Sequence, residues 1–363
     1  MNHTNSSYNY WTIPIINIQK NTTICFNNNA FDIKSNATEC YGVKNIPNKI
    51  NLLYFQDNKD TESIRYGYWI NNRLLLQNQI YFIYDRASGM YIPKRESRQD
   101  LYANKIQEYF MYMVNDASNK IDQLEWKYLC NAIKTNKDHG NGSEGYIYVD
   151  QSMCTLKETS QLNKIISARG SELDRNEQHY LDYIDIQFKS AMAIRKGYEM
   201  IDYYDTSNYL QQVIEQHSIQ EIINQMKIAY ANMNYIGNFG SAEHWQLLIK
   251  LICQSETFFK DEKNISIKIQ IDELISHQLE SLSEECVASF IEERLWREVF
   301  GDNTKSFPKI LNSLYHRQIF VQDDSNLNDG NLSDGNFSDS EFNDSNSDSD
   351  APAIAGHVTY RFW

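Results

Sequence analysis

Residues 219–253, IQEIINQMKIAYANMNYIGNFGSAEHWQLLIKLIC, decide the fold class. Ile219, Ile222, Ile223, Met226, Tyr230 and Met233 recur at three- and four-residue steps, which places them on one face of a helix. Gly237-Asn238-Phe239-Gly240 breaks the pattern, and Ser241 is placed to cap a second helix. Trp245, Leu248, Ile249 and Ile252 then resume the same period. Two glycines between two apolar stripes predict an antiparallel helical hairpin, and hence a bundle or short helical stack. Ile267, Ile271, Leu274 and Ile275 form a third stripe, and Val287, Phe290, Ile291 and Leu295 a fourth, capped by Ser283. A last helix is predicted at 308–320. Counting a short extended piece at 184–188, the helical domain covers 183–320.

Upstream, the period shortens to that of strands. Ile13–Ile18, Ile50–Phe55, Ile64–Ile70 and Gln79–Tyr84 are short runs rich in β-branched and aromatic residues. Asn27-Asn28-Asn29, Pro47-Asn48, Asn71-Asn72 and Ser88-Gly89 supply turns between them. Closely spaced strands with polar turns predict an antiparallel sandwich or barrel. Tyr102, Ile106, Tyr109, Phe110 and Met113 return to a helical period, and a weaker helix covers about 121–134. The Gly-rich loop Asp138–Gly145 leads to one more strand, Tyr146–Val149. Residues 1–166 therefore read as a β-rich domain with a helical insertion, and 167–182 as a polar connection. The class is α+β: a sandwich-like N-terminal domain, then an all-α domain, then an acidic tail.

That tail is distinct from the rest. Residues 322–350 hold nine Asp and Glu and no Lys or Arg, so of the net charge of −14 about −5 is left for the body. Asp324-Ser-Asn-Leu-Asn, Asp329-Gly-Asn-Leu-Ser, Asp334-Gly-Asn-Phe-Ser and Asp339-Ser-Glu-Phe-Asn follow in a five-residue period that fits neither helix nor strand. High charge without a core predicts disorder over 321–356. Ser338, Ser345 and Ser347 each precede an acidic residue by three positions, the context an acidophilic kinase favours. The ending 357–363 alternates, placing Val358, Tyr360 and Phe362 on one side of an extended strand, with Trp363 last. Such a segment suits addition to the edge of a partner's sheet, or docking back onto its own body.

Composition narrows the function. The densest basic run is Lys94-Arg95 with Arg98, so no stripe exists to displace counterions from a phosphate backbone, and direct nucleic-acid reading is not expected. Six cysteines without a CxxC pair imply no structural zinc. Neither a signal peptide nor an apolar run of membrane-spanning length is visible, which predicts reduced thiols in a cytoplasmic and nuclear protein. No nucleophile elbow, phosphate loop, zinc-protease motif or dinucleotide fingerprint occurs, so neither catalytic residues nor cofactors are predicted. Glu284-Glu285 and Glu292-Glu293 read as helix-start and solvated positions, and Cys253 as core.

Five blocks carry a resemblance. They are Tyr41-Gly42-Val43-Lys44-Asn45-Ile46-Pro47, Ile64-Arg65-Tyr66-Gly67-Tyr68-Trp69 and Tyr148-Val149-Asp150-Gln151-Ser152-Met153, then Phe188-Lys189-Ser190 with Ala193-Ile194-Arg195-Lys196-Gly197-Tyr198-Glu199-Met200, and Gly237-Asn238-Phe239-Gly240-Ser241 through Trp245 to Leu251-Ile252-Cys253. In this order, across about residues 11–300, the chain resembles the a1-cistron splicing factor family, the U5 small nuclear ribonucleoprotein assembly factors, in its budding-yeast form. The resemblance implies a β-rich domain, a helical domain and no enzymatic activity. It implies binding to the large U5 scaffold protein, through its RNase H-like and Jab/MPN-type domains, in a U5 precursor particle. It further implies exclusion of the U5 helicase and release by phosphorylation. The family's regulatory serine falls at Ser255. The pentad tail departs from the family's tails, so strand addition by Val358, Tyr360, Phe362 and Trp363 rests on position and alternation. A generic acidic chaperone for basic proteins is the alternative, and an unrecognised hydrolase in the N-terminal domain a third reading.

Overall fold

The computed structural model describes residues 11–27, 29–33, 41–46, 49–57, 64–75, 79–96, 112–113, 124–135, 142–170, 179–188, 205–290 and 306–317. The N-terminal lobe contains β1 (Trp11–Ile16), β2 (Thr22–Phe26), β3 (Asn29–Asp32), β4 (Tyr41–Ile46), β5 (Ile50–Asp57), β6 (Tyr66–Asn71), β7 (Gln79–Asp85), β8 (Met90–Glu96), β9 (Tyr112–Met113) and β11 (Tyr146–Asp150). One sheet runs β8-β7-β1-β4-β9 and the other β11-β6-β5-β2-β3. Ile13, Ile15, Val43 and Phe82 of the first face Ile24, Phe26, Leu53 and Phe55 of the second, which makes the lobe a sandwich.

The second sheet is buried on its other face as well. Leu52, Trp69, Ile147 and Val149 pack there against Leu129 and Ala132 of α1 (Trp126–Ala132) and against Ile228 and Ala231 of the helical lobe. A strand covered on both faces needs no polar alternation, and Thr22–Phe26 is buried at every position. The second sheet is antiparallel throughout, as expected. The first is mixed: β1 runs parallel to β7 and β4 parallel to β9, because β7 and β9 join it by crossing from elsewhere in the chain.

Three local expectations change. Tyr102, Ile106, Tyr109 and Phe110 lie outside the described residues, and Met113 belongs to a strand paired with Lys44; there, pairing with a sheet edge overrides the helical period. The helix expected over 121–134 is shorter, and its last residues leave as β10 (Ile133–Thr135). β10 pairs with β12 (His179–Leu181), so the stretch read as a connection contributes a strand whose Leu181 is fully buried. Just before it, α2 (Leu156–Ala168) runs past residue 166.

The helical lobe comprises α3 (Ser207–His217), α4 (Ile219–Ala231), α5 (Phe239–Cys253), α6 (Glu256–Lys260), α7 (Ile265–Glu280), α8 (Glu284–Phe290) and α9 (Pro308–His316). The predicted stripes meet in one core: Ile222, Met226, Trp245, Leu248, Ile252, Ile271 and Ile275 are all buried in it. Ser283 caps α8 as expected, its Oγ accepting from the Cys286 amide at 3.2 Å. Asp272 on α7 accepts from the Lys309 and Ile310 amides at 3.1 and 2.9 Å and so binds the open N-terminus of α9. Leu295 and the predicted tail elements lie outside the described residues. No disulfide joins the described cysteines Cys25, Cys130, Cys154, Cys253 and Cys286.

Candidate functional site

The two lobes meet along a seam of buried amides and aromatic rings. α4 runs into a π-helical turn, Asn232–Ile236, whose first residue lies beneath the second sheet. Trp69 Nε1 donates to Asn232 Oδ1 at 3.0 Å, and Asn232 Nδ2 donates to the Tyr183 hydroxyl at 3.2 Å. That hydroxyl also bonds Ser241 Oγ at 2.9 Å, and the Tyr183 ring stacks on His244 at 4.3 Å and 3°. Gln225 Oε1 accepts from the Ile184 amide at 2.9 Å and lies 3.0 Å from His244 Nε2. An amide oxygen only accepts, so His244 Nε2 carries the proton. Burial, with Lys157 as a lesser influence, lowers the His244 pKa to about 3, so the ring is neutral.

The block Gly237-Asn238-Phe239-Gly240-Ser241 is the latch of this seam. Gly237 takes φ 77°, a left-handed turn that suits glycine. Asn238 then works in two directions. Its Oδ1 accepts from the Ser241 amide at 2.8 Å, and its Nδ2 faces the carbonyls of Asp150 and Gln151 at 3.3 Å and of Met153 at 2.8 Å. The cap of α5 is therefore Asn238, and Ser241, expected in that role, lies within the first turn and bonds Tyr183 instead. Gly240 lets α5 approach the start of α2: a Cβ there would meet Glu158 Oε2 and Thr155 Cγ2 at 2.7 Å. Those two residues form a capping box, Thr155 Oγ1 accepting from the Glu158 amide at 3.2 Å and Glu158 Oε2 from the Thr155 amide at 2.7 Å. Phe239 is the exception, with 62% of its surface exposed.

Ser255 follows α5 as predicted, but it is sealed inside. It is fully buried, and its Oγ donates to the Leu251 carbonyl at 2.7 Å and lies 2.9 Å from Thr206 Oγ1. Outside this pair, Asp205 accepts from the Ser207 and Thr257 amides at 2.9 and 3.1 Å and from both hydroxyls, clasping α3 to α6. Burial alone would raise the Asp205 pKa; the Ser207 and Thr257 donors outweigh it and hold the carboxyl below its usual value. A phosphate cannot enter this corner while it stays closed. Ser338, Ser345, Ser347, Val358, Tyr360, Phe362 and Trp363 lie outside the described residues. Among the described residues no three His, Cys, Asp or Glu side chains converge as a metal site, and no helix is long and apolar enough to cross a membrane.

Sandwich and helical lobe thus form one α+β body, latched through side-chain amides. Residues 183–336 match the family model of the AAR2 C-terminal repeat region. The chain is also similar to the A1 cistron-splicing factor AAR2 of Saccharomyces cerevisiae, 29% identical over 324 residues that cover 86% of this chain and 87% of the relative. Both matches are to the a1-cistron splicing factor family that the five sequence blocks resemble.

Proposed function

We propose that this chain is a non-enzymatic pre-mRNA splicing factor that acts as an assembly chaperone of the U5 particle. It binds the large U5 scaffold protein through that protein's RNase H-like and Jab/MPN-type domains and holds a precursor particle. While bound, it keeps the U5 helicase away, and phosphorylation releases it. It works in the cytoplasm and the nucleus. The observation that carries the reading is the similarity to a named splicing factor over 324 residues spanning both lobes. A single latched body supports it, since rigid surfaces bind with little ordering cost.

The terminal residues Val358, Tyr360, Phe362 and Trp363 would add a strand to the scaffold. Ser338, Ser345 and Ser347 would receive phosphates, as would Ser255 once its corner opens. A dianion at Ser255 meets the buried Leu251 carbonyl and the negative end of α5, so modification holds that corner open. Affinity purification from cell extract tests the proposal: the U5 scaffold should copurify and the helicase should not. A generic acidic chaperone is the second reading, favoured by the −9 carried by 322–350. Under it, deleting 321–363 abolishes partner choice; under the first, choice persists.

A further inference from the structure

The helix α2 is anchored at its N-terminus by the Thr155–Glu158 capping box, yet none of its residues is buried. Leu156, Leu162 and Ile165 are 46%, 41% and 55% exposed. Isolated helices of about this length are marginal in water, so a helix with no buried residue gains from whatever lies on it. Beside it runs a groove of about 380 Å³ between α2, the extended segment 181–187 and α5. Leu156, Leu181, Ile184, Ile186 and Leu247 give it apolar character, and α2 also contributes Lys157 and Lys164, whereas Leu162 and Ile165 lie outside it. Asp185 and Glu243 also line it, and Glu243 pairs with Lys157 at 3.9 Å. Seven residues apart, the two lysines are separated by roughly 10 Å along the helix axis.

The pentad repeat has the matching pattern. Leu327 lies between Asp324 and Asp329, Leu332 between Asp329 and Asp334, Phe337 between Asp334 and Asp339, and Phe342 between Asp339 and Asp344. Each apolar residue has a carboxylate three positions before it and two after it. The described chain ends at Arg317, seven residues before the repeat. Arg317, the last described residue, donates to the Leu282 carbonyl at 2.7 Å and pairs with Glu284 at 3.4 Å. Its neighbour Glu285 pairs with Arg65 at 2.9 Å, and Arg65 shares backbone and side-chain bonds with Gln151, on the turn that leads into α2. The seven residues from Arg317 to Asp324 reach up to roughly 23 Å at about 3.3 Å per residue.

We propose that the pentads of 324–344 dock in cis on α2. One Leu or Phe at a time enters the groove, and its flanking carboxylates pair with Lys157 and Lys164. The four pentads act as interchangeable anchors held at high effective concentration. This assignment does not depend on the splicing role.

The test uses the full-length chain. Zero-length carbodiimide cross-linking, on an equal mixture of isotopically light and heavy chains, should join Lys157 or Lys164 to carboxylates of 324–344 within one chain. Amide exchange across 156–168 should accelerate at least about fivefold when Leu327, Leu332, Phe337 and Phe342 are changed to Ser. Lys157→Glu with Lys164→Glu should do the same, and Asp329→Lys with Asp334→Lys should restore protection in that background. An unchanged circular dichroism spectrum of the four-Ser variant keeps the comparison clean. Mixed-isotope cross-links would assign the groove to a second copy and overturn the proposal. Equal exchange rates with and without the four anchors would overturn it too.

Discussion

Asn238→Asp exchanges one atom and isolates the latch. The new carboxylate still accepts from the Ser241 amide, and its charge at the start of α5 gains about 0.5 kcal/mol from the helix dipole. What it loses is the donor. Nδ2 faces three carbonyls, of Asp150, Gln151 and Met153, the last at 2.8 Å in a buried setting. Two hydrogens can make about two good bonds there, each contributing roughly 1 kcal/mol, and an oxygen in their place adds repulsion and an unmet carbonyl costing about 1–3 kcal/mol. The net expectation is a loss of about 2–4 kcal/mol at pH 7 by urea unfolding. Facing carbonyls favour the protonated acid, so the variant's carboxyl pKa is higher folded than unfolded. The deficit is then smallest at low pH and grows as pH rises through the folded pKa. A variant within about 0.5 kcal/mol of wild type at pH 7, with no change of deficit at pH 5, would refute this account of the latch.

Trp69→Phe should cost about 1–3 kcal/mol by the same assay, because it leaves Asn232 Oδ1 buried without its indole donor. Ser255→Glu should destabilise by about 3 kcal/mol or more and speed amide exchange over 251–260, since a carboxylate would face the Leu251 carbonyl in a sealed corner; a stable, exchange-protected variant would show that the corner accepts charge. His244 has a folded pKa depressed to about 3 from 6.5, so its contribution is present above the unfolded value and is lost as pH falls. Between pH 7 and 5 this amounts to about 2 kcal/mol, and His244→Asn should flatten that part of the stability profile. Gly240→Ala should lower the melting temperature, because its methyl group strikes the capping box of α2.

Much of the architecture was legible. The stripes headed by Ile219, Trp245 and Ile267 became α4, α5 and α7 because each needs one buried face, and period alone shows that. Strands β1, β5, β6 and β7 announced themselves through β-branched runs. β2 and β8 did not: TTICF is too short and too buried to alternate, and β8 carries Pro93, Lys94 and Arg95, the composition of a protected edge. The seam was not legible, since Trp69 finds Asn232, and Asn238 finds Met153, across long separations that leave no periodic trace. One signal was present, an asparagine directly after a glycine that breaks a helix, which is as good a cap as the serine three residues on. Ser255 follows the end of α5 where the period placed it, but burial is a property of packing, and no local pattern revealed it.

The most direct measurement is equilibrium binding of the purified full-length chain to the scaffold's RNase H-like and Jab/MPN-type domains. Saturable association that persists in the Leu327, Leu332, Phe337 and Phe342→Ser variant, and weakens in Asn238→Asp as the lobes loosen, is the expected result. Absence of binding by the folded wild-type chain would contradict the account.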